Sequence, residues 1–312
     1  MKLIMTYSLT SAFLECEQRW YYMYVMGLEK RQWKEPFLMG TVFQYGIFLL
    51  MKHKDLKYAQ DKMDKFLHEY VKNLRKKFSI STDDERSFVE MKAALKGMLK
   101  GYYEHHGRDL EVEKHISNEQ EDIYKIPGAQ FRIKMDNIVQ YKNNWYLHEG
   151  KAWNYLNSER VNNAIRSFQT ATYFYFHNDN VDETGYKKFK GIIFDVVQKP
   201  SIKQKIGETY RGYLNRLEEY YTSSESHKKF YKEVFDKPAI AYDDWYHTII
   251  TVSDRMRHII NDDYYNRPVK TFVNCSQCDF NEPCYNGNTK RSLLMFKENE
   301  YIKELRKGKS NG

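Results

Sequence analysis

The spacing of apolar residues predicts helices in the first hundred residues, strands in the middle of the chain and helices again toward its end. In the segment 57–78, apolar residues recur at intervals of three and four, which is the period of an amphipathic helix. Similar patterns, bounded by capping residues and by Pro36, predict further helices. The predicted helices are Ser8–Gly27, Phe37–His53, Lys57–Phe78, a helix from Asp83 that stops at Gly107, Glu159–Phe176, Glu208–Tyr221 and Tyr242–Asn261.

Between residues 111 and 151 the pattern changes to the alternation that is typical of strands. The predicted strands are Glu111–Tyr124, Phe131–Tyr141, Trp145–Lys151 and Phe189–Val197, the last ended by Pro200. The charged segment Lys290–Gly312 is predicted to be a helical tail. Helices, then a small sheet interrupted by a helix, then helices again indicate a mixed α/β fold.

A single domain is predicted, because the 312 residues contain only 15 glycines and 6 prolines and no flexible linker divides them. Its hydrophobic fraction of 41% is enough for a substantial core. The predicted regions are 1–107, helical with the first cysteine; 108–200, the α/β core; 201–270, helical; 271–287, the cysteine segment; and 288–312, a basic tail.

The formal net charge of +8 favours a polyanionic partner. Many of the 27 tyrosines stand beside lysines, a combination that suits stacking on unpaired bases, although core packing is the alternative explanation for most aromatic residues. The N-terminus lacks the apolar segment of a signal peptide, and no membrane span is found. We therefore expect a cytoplasmic protein that is not bound to a membrane.

The four cysteines of the chain are Cys16, Cys275, Cys278 and Cys284. A C-x2-C-x5-C pattern with a distant fourth thiol predicts one tetrathiolate site that joins the two ends of the fold. Disulfides are disfavoured without an export signal. Structural zinc usually takes two close pairs of ligands, whereas iron–sulfur clusters accept a lone ligand. The spacing alone leaves zinc and a cluster equally open.

Three charged residues interrupt apolar strands: Asp136, Glu149 and Lys151. Glu149 and Lys151 are two residues apart and therefore project from one face. A two-residue turn at Lys142–Asn143 would place Asp136 opposite Glu149, whereas a turn at Asn143–Asn144 would place it opposite Lys151. The arrangement predicts either a salt bridge or a divalent-metal site that hydrolyses phosphodiesters.

These motifs, in this order, resemble the PD-(D/E)XK nuclease superfamily, specifically its RecB-type exonucleases with an iron–sulfur cluster, such as the AddB nuclease domain and the CRISPR-adaptation exonucleases. The resemblance covers nearly the whole chain. The segments that carry it are SLTSAFLECEQRWYYMYVMGL, MGTVFQYG, FRIKMDNIV, LHEGKAW, SFQTATYFYF, FDVVQKP and CSQCDFNEPC.

The resemblance implies that Asp136, Glu149 and the backbone carbonyl of Gly150 bind Mg²⁺ or Mn²⁺, and that Lys151 is the catalytic lysine. Gln169 and Tyr173 correspond to the family's Q-x-x-x-Y motif, which lines the site and contacts substrate.

The implied fold is a restriction-endonuclease-like core, with a small mixed sheet flanked by helices and with helical terminal regions joined by the cluster. The four cysteines would bind a structural 4Fe–4S cluster, with zinc as the less favoured alternative.

One position departs from the family pattern. Its GT-x-x-H motif ends in Gln44 here, so an amide stands where a histidine usually ligates the metal. His148 precedes Glu149 on a strand and so points the other way. Glu113 is interpreted as a solvent-facing carboxylate.

We therefore expect a metal-dependent DNA exonuclease acting on single-stranded DNA or duplex ends, in recombination, repair or phage DNA metabolism, in a bacterial or viral setting. The alternative is a catalytically weak DNA-binding subunit of a recombination complex. Without a phosphate-binding glycine loop, unwinding would need a helicase or recombinase partner. Oligomeric state stays open.

Overall fold

The computed structural model describes residues 3–30, 35–77, 80–179, 187–237, 242–262, 275–276, 278–287 and 289–299, with the side chains of 35–37, 77, 112, 118–120, 179, 262, 290 and 291 excepted. The chain divides into two compact units. The terminal unit comprises Met1–Trp33, Asp122–Ile133 and Ile240–Gly312, and the central unit comprises Lys34–Glu121 and Lys134–Ala239. That these units form a single nuclease domain stays a prediction.

Among the regular elements that the structure describes, helices dominate residues 7–112, strands dominate 114–153, and helices alternate with strands afterwards. The strands are β1 (Leu3–Thr6), β2 (Leu28–Lys30), β3 (Lys114–Ile126), β4 (Ala129–Tyr141), β5 (Asn144–Trp153), β6 (Phe189–Gln198), β7 (Phe230–Asp236) and β8 (Phe296–Glu298). The α-helices are α1 (Tyr7–Glu15), α2 (Glu17–Trp20), α3 (Glu35–His53), α4 (Leu56–Lys77), α5 (Thr82–Val112), α6 (Ser158–Ile165), α7 (Phe168–Asp179), α8 (Tyr210–Thr222), α9 (Tyr242–Asp262), α10 (Asn281–Asn286) and α11 (Lys290–Leu293). A π-helical turn covers Tyr21–Val25, and a 3-10 turn covers Ser226–Lys229.

The central unit contains a mixed sheet in the order β4–β5–β6–β7. β4 and β5 form an antiparallel hairpin, β6 runs parallel to β5, and β7 is antiparallel to β6. Helix α3 packs against β5, and α7 packs against β6. Nearly every side chain of β6 is buried, as expected of an inner strand whose two faces are both covered. The predicted mixed α/β architecture is confirmed.

Three long helices precede the sheet in the central unit. α5 begins with a capping box in which Ser81 and Asp84 satisfy each other's backbone N–H groups. α5 then packs closely on α8 because Gly101 has no side chain: a Cβ there would lie 2.6 Å from the Cβ of Tyr221. The helical content predicted from apolar periodicity is therefore present, and glycine sets how closely two of the helices approach.

The terminal unit combines segments from both ends of the chain. β1 runs parallel to the first residues of β4, and β2 pairs antiparallel with β8. The rings of Tyr22, from the N-terminal segment, and Phe296, from the C-terminal segment, both stack with the ring of Phe280. Their centroids lie 5.4 and 5.1 Å from that of Phe280. Strand pairing and aromatic packing thus join N-terminal and C-terminal segments within this unit.

The predicted helix Ser8–Gly27 is wrong at its start and in its middle. The hydroxyl of Thr6, not that of Ser8, caps α1 by accepting a hydrogen bond from the backbone N–H of Leu9 at 3.2 Å. At Cys16 the backbone is extended, with φ at −167°, so a second helix begins at Glu17.

Gly107 does not end α5, which continues to Val112. An interior glycine costs about 1 kcal/mol relative to alanine. Burial of one leucine contributes about 1.5–3 kcal/mol, and Leu110, one turn later, is 1% exposed. Packing therefore outweighs the local preference, and β3 begins at Lys114 rather than at the predicted Glu111.

The predicted helix Glu159–Phe176 is two helices, because Ser167 interrupts it and its hydroxyl accepts a hydrogen bond from the N–H of Thr170. Strands β1, β2, β7 and β8 were not predicted. The tail predicted as one helix contains α11 and then β8, and residues 300–312 lie outside the described residues. In the described part of the chain, no helix combines the length and apolar character that a membrane span requires.

Candidate active site

The β4–β5 hairpin turns at Lys142 and Asn143. Their φ angles of 47° and 64° are both left-handed, as a two-residue type I′ turn requires. The ladder pairs Asn137 with His148, so the next residues on the two strands are Asp136 and Glu149. Of the two registers that the sequence allowed, the first is therefore observed, and it brings the two predicted carboxylates to neighbouring strands.

Glu149 and Lys151 form an ion pair on β5, between Oε1 and Nζ. Glu149 is 3% exposed, and among the described residues its other oxygen, Oε2, has no hydrogen-bond partner. A buried, unsatisfied carboxylate oxygen costs free energy, so this position favours a cation or another donor that supplies the missing contact.

Gln44 reaches this site from α3. Its Nε2 donates one hydrogen bond to Oδ2 of Asp136 at 2.8 Å and another to the carbonyl oxygen of Gly150 at 2.6 Å. Both oxygens belong to the metal ligands that the sequence predicted. Because both are within hydrogen-bond distance of one nitrogen, they are close enough to share one partner.

The chemistry of these donors fits a hard divalent ion. Carboxylate and carbonyl oxygens are the ligands that Mg²⁺ and Mn²⁺ prefer, and the amide of Gln44 can present its own oxygen after rotation. No group of three or more His, Cys, Asp and Glu side chains among the described residues is placed to hold a metal. Asp136 and Glu149, which we call the acidic site, are two such side chains. The amide of Gln44 contacts Asp136 and the carbonyl of Gly150, which are the remaining candidate donors.

Gln169 and Tyr173 lie one turn apart on α7, as their spacing predicted. Nε2 of Gln169 donates to the Tyr173 hydroxyl at 2.7 Å, and that hydroxyl donates to the carbonyl of Lys134 at 2.9 Å. Lys134 precedes Asp136 by two residues on β4. The pair is therefore tied to the strand that carries the first carboxylate, and contact of this pair with substrate stays a prediction.

His148 is fully buried, and its Nε2 lies 3.3 Å from Oδ2 of Asp195 on β6. The hydroxyl of Tyr102 donates to the same oxygen at 2.5 Å. Burial alone would raise the pKa of Asp195, but the nearby imidazole of His148 and the charge of Lys232 lower it. Burial and the nearby carboxylate of Asp195 also raise the pKa of Tyr102 well above its usual value.

Lys232, on β7, pairs with Glu113 at 2.8 Å, and both side chains are almost fully buried. Burial would lower the pKa of Lys232, yet the charges of Asp195 and Glu113 raise it. The interpretation of Glu113 as solvent-facing is therefore wrong. Asp195 was missed, although a charge within the apolar run GIIFDVVQ carries the same signal that identified Asp136 and Glu149.

All four cysteines lie in the terminal unit, form no disulfide and are partly buried. Sγ of Cys16 accepts a hydrogen bond from the backbone N–H of Arg19 at 3.4 Å, and Cys278 and Cys284 pack beside the Tyr22–Phe280–Phe296 stack. Burial raises the pKa of Cys278, and the charge of Cys16 adds to this increase.

Four partly buried thiols are the appropriate donors for zinc or a cluster. Within the described part of the chain, however, their sulfurs do not converge as a ligand sphere.

A family model described as the PD-(D/E)XK nuclease superfamily matches residues 5–285 of the chain. That match includes both strands of the hairpin, helix α7 and all four cysteines. A comparison with curated proteins finds no significant match.

Proposed function

The chain belongs to the PD-(D/E)XK nuclease superfamily, whose members are generally divalent-metal-dependent nucleases, and we propose that it is a deoxyribonuclease that degrades single-stranded DNA or duplex ends as an exonuclease. One observation carries the proposal: the Asp136 carboxylate and the Gly150 carbonyl both accept a hydrogen bond from Nε2 of Gln44. Glu149, on the same strand as Gly150, has a buried oxygen without a hydrogen-bond partner among the described residues.

Asp136, Glu149 and the Gly150 carbonyl are the proposed metal ligands. The bound ion would polarise the scissile phosphate and lower the pKa of a water molecule. Lys151, held beside Glu149, would stabilise the negative charge that develops on the phosphate. Tyr173 would keep β4 in place through its hydrogen bond to Lys134. The net charge of +8 would attract the DNA backbone, so binding should weaken as salt rises.

The test is a nuclease assay on end-labelled single-stranded and duplex DNA, with Mg²⁺ and Mn²⁺ titrated. Lys151→Ala and Asp136→Asn should lose activity by at least about a hundredfold. Lys190→Ala is the matched control, because Lys190 is an exposed lysine on the adjacent strand β6. Undiminished cleavage by Lys151→Ala and Asp136→Asn would exclude the proposed site.

A second candidate is a catalytically weak DNA-binding subunit of a recombination complex. The position of Gln44 favours it, because the amide nitrogen already contacts two of the proposed ligands and a cation must displace it. DNA binding without cleavage at any concentration of either metal would support this function and contradict the nuclease.

We also propose that Cys16, Cys275, Cys278 and Cys284 bind a structural 4Fe–4S cluster. The absence of a disulfide between them and their common location in the terminal unit support this. Protein purified anaerobically should be brown, absorb visible light and contain iron, and Cys278→Ser should lose this colour. Colourless protein that contains zinc would establish the alternative.

The proposed biological setting is DNA recombination, repair or phage DNA metabolism in the cytoplasm of a bacterium or of a virus-infected cell. A helicase or recombinase partner is part of this proposal. Co-purification of such a partner from the native host is its test.

A further inference from the structure

Trp153, Tyr155 and Arg160 form a cluster just beyond the acidic site. Glu149, Lys151 and Trp153 alternate along β5 and therefore project from the same face of the strand. The strand ends at Trp153, and α6 begins five residues later. The Asn157 side chain caps α6 by accepting from the N–H of Arg160 at 2.7 Å.

The guanidinium of Arg160 lies over two aromatic rings. Its central carbon is 4.2 Å from the ring centroid of Trp153 and 5.2 Å from that of Tyr155. Trp153 also packs against Phe194, with ring centroids 5.8 Å apart, and this contact fixes the indole on β5. The packing contact holds the indole of Trp153, and the cap holds the backbone of Arg160 at the start of α6.

Tyr155 distinguishes this cluster from an ordinary packing contact. Packing against Phe194 explains Trp153, but Tyr155 is 58% exposed. An exposed aromatic ring and a guanidinium plane offer stacking surfaces for any nucleobase.

We propose that Trp153, Tyr155 and Arg160 are a base-stacking platform that binds unpaired bases of a DNA strand entering the site around Glu149 and Lys151. The location of the reacting phosphate rests on the proposed function, whereas the stacking itself does not. Four residues of a strand span about 13 Å, which separates Trp153 from Glu149 along β5. Stacked nucleotides of one strand are about 3.4 Å apart along a helix axis, so the platform lies about four nucleotides from the proposed metal ligand Glu149.

This platform implies a preference for single strands. The bases of an intact duplex already stack on one another and do not offer their faces to a protein surface. An unpaired base can stack on Tyr155 or Arg160, while the DNA backbone continues toward Lys151. The platform therefore selects the end or strand from which degradation begins.

The test separates bases from phosphates and needs no cleavage. Binding of a labelled oligothymidylate and of an abasic oligonucleotide of equal length is measured by fluorescence anisotropy, without added divalent metal. The wild-type protein should bind oligothymidylate at least about fivefold more tightly. Tyr155→Ala and Trp153→Ala should reduce that ratio toward one with unchanged affinity for the abasic strand, and Tyr155→Phe should retain it.

Tyr58→Ala is the matched control, because Tyr58 is also an exposed tyrosine with a cation, Lys62, 5.3 Å above its ring, but it lies on α4. The control should keep the wild-type ratio. Equal binding of both oligonucleotides by the wild-type protein, or an equal loss for both with Tyr155→Ala, would overturn the platform. If Trp153→Ala does not fold, the exposed Tyr155 variants decide the question.

The result is independent of the proposed activity. A protein that never cuts DNA but prefers oligothymidylate through Tyr155 would support the platform and contradict the nuclease. A protein that cuts DNA through Lys151 but binds both oligonucleotides equally would support the nuclease and overturn the platform.

Discussion

Two clusters of buried charged residues differ in their access to solvent. Each contains one of two consecutive residues of β5, His148 and Glu149. His148 belongs to a closed cluster with Asp195, where both side chains are fully buried. Glu149 belongs to an open cluster, where its partner Lys151 has a 27% exposed side chain. Because successive residues of a strand point to opposite faces, a single step along the chain separates them.

The closed cluster contains the groups needed to balance its charges. Asp195 receives a hydrogen bond from Tyr102 and lies beside His148, and Lys232 pairs with Glu113. In the open cluster an uncharged amide contacts Asp136, and one oxygen of Glu149 lacks a hydrogen-bond partner among the described residues. The closed cluster also contains such atoms, Oδ1 of Asp195 and Oε2 of Glu113, so neither buried charge nor an unsatisfied oxygen alone identifies a catalytic site. The exposure of Lys151 to solvent is what distinguishes the open cluster.

The largest effect should come from removing one carboxylate from each cluster. Glu149→Gln should reduce cleavage by at least about a thousandfold, because a proposed metal ligand is lost, and should change the free energy of unfolding by less than about 1 kcal/mol. Asp195→Ala should lower the free energy of unfolding by about 3–5 kcal/mol, because it leaves buried partners uncompensated. Urea unfolding and nuclease assays on the same preparations measure both quantities.

The comparison fails if the two variants behave alike. A strongly destabilised Glu149→Gln would make the open cluster structural. An Asp195→Ala protein that is stable but inactive would place Asp195 in the chemistry instead.

The pH dependence of stability should come mainly from the closed cluster. The lowered pKa of Asp195 contributes stability that is complete above its unfolded pKa of about 3.9 and is lost as pH falls through the folded value. The raised pKa of Lys232 contributes stability that is complete below its unfolded pKa of about 10.4 and is lost as pH rises through the folded value. Urea unfolding across pH should therefore show decreases at both extremes, and Asp195→Ala should weaken the acid decrease. An unchanged acid decrease in that variant would assign it to other groups.

A smaller effect should follow from changing Gln44. The Gln44 amide must break its hydrogen bonds to Asp136 and the Gly150 carbonyl before an ion can bind these proposed ligands. The imidazole of Gln44→His can instead coordinate the ion, so Mn²⁺ should bind about tenfold more tightly. Isothermal titration calorimetry measures this affinity without any nuclease activity. Gln60→His is the control, since the Gln60 amide also donates to a backbone carbonyl, that of Lys96, on a different helix. Equal or weaker Mn²⁺ binding by Gln44→His would show that the amide does not hinder the metal.

Local signals predicted the hairpin of the open cluster but left its register open. Lys142, Asn143 and Asn144 all suit a turn, and the structure turns at Lys142 and Asn143. Helical spacing predicted that Gln169 and Tyr173 share a face, whereas their place in the site was implied by the family resemblance. The hydrogen bond from Tyr173 to Lys134, by contrast, joins residues 39 positions apart and could not be predicted from local spacing.

The closed cluster was less predictable, because its members come from four separate elements. Tyr102 lies on α5, His148 on β5, Asp195 on β6 and Lys232 on β7. Since β7 was not recognised as a strand, nothing placed Lys232 near Glu113. Gly107 was also misjudged, because local propensity does not include the burial of Leu110 that continues the helix.

The smallest effect tests whether the open cluster depends on its neighbours. Tyr173→Phe removes the hydrogen bond to the carbonyl of Lys134 and the one accepted from Gln169, whereas Tyr213→Phe removes a hydrogen bond to the carbonyl of Ile202. Each hydrogen bond lost should lower the free energy of unfolding by about 1 kcal/mol, because all of them join neutral groups. Only Tyr173→Phe should also reduce kcat, since Lys134 is two residues from Asp136, and KM and kcat measured separately would reveal this. An equal kcat in the two variants would mean that Tyr173 supports the fold and not the position of Asp136.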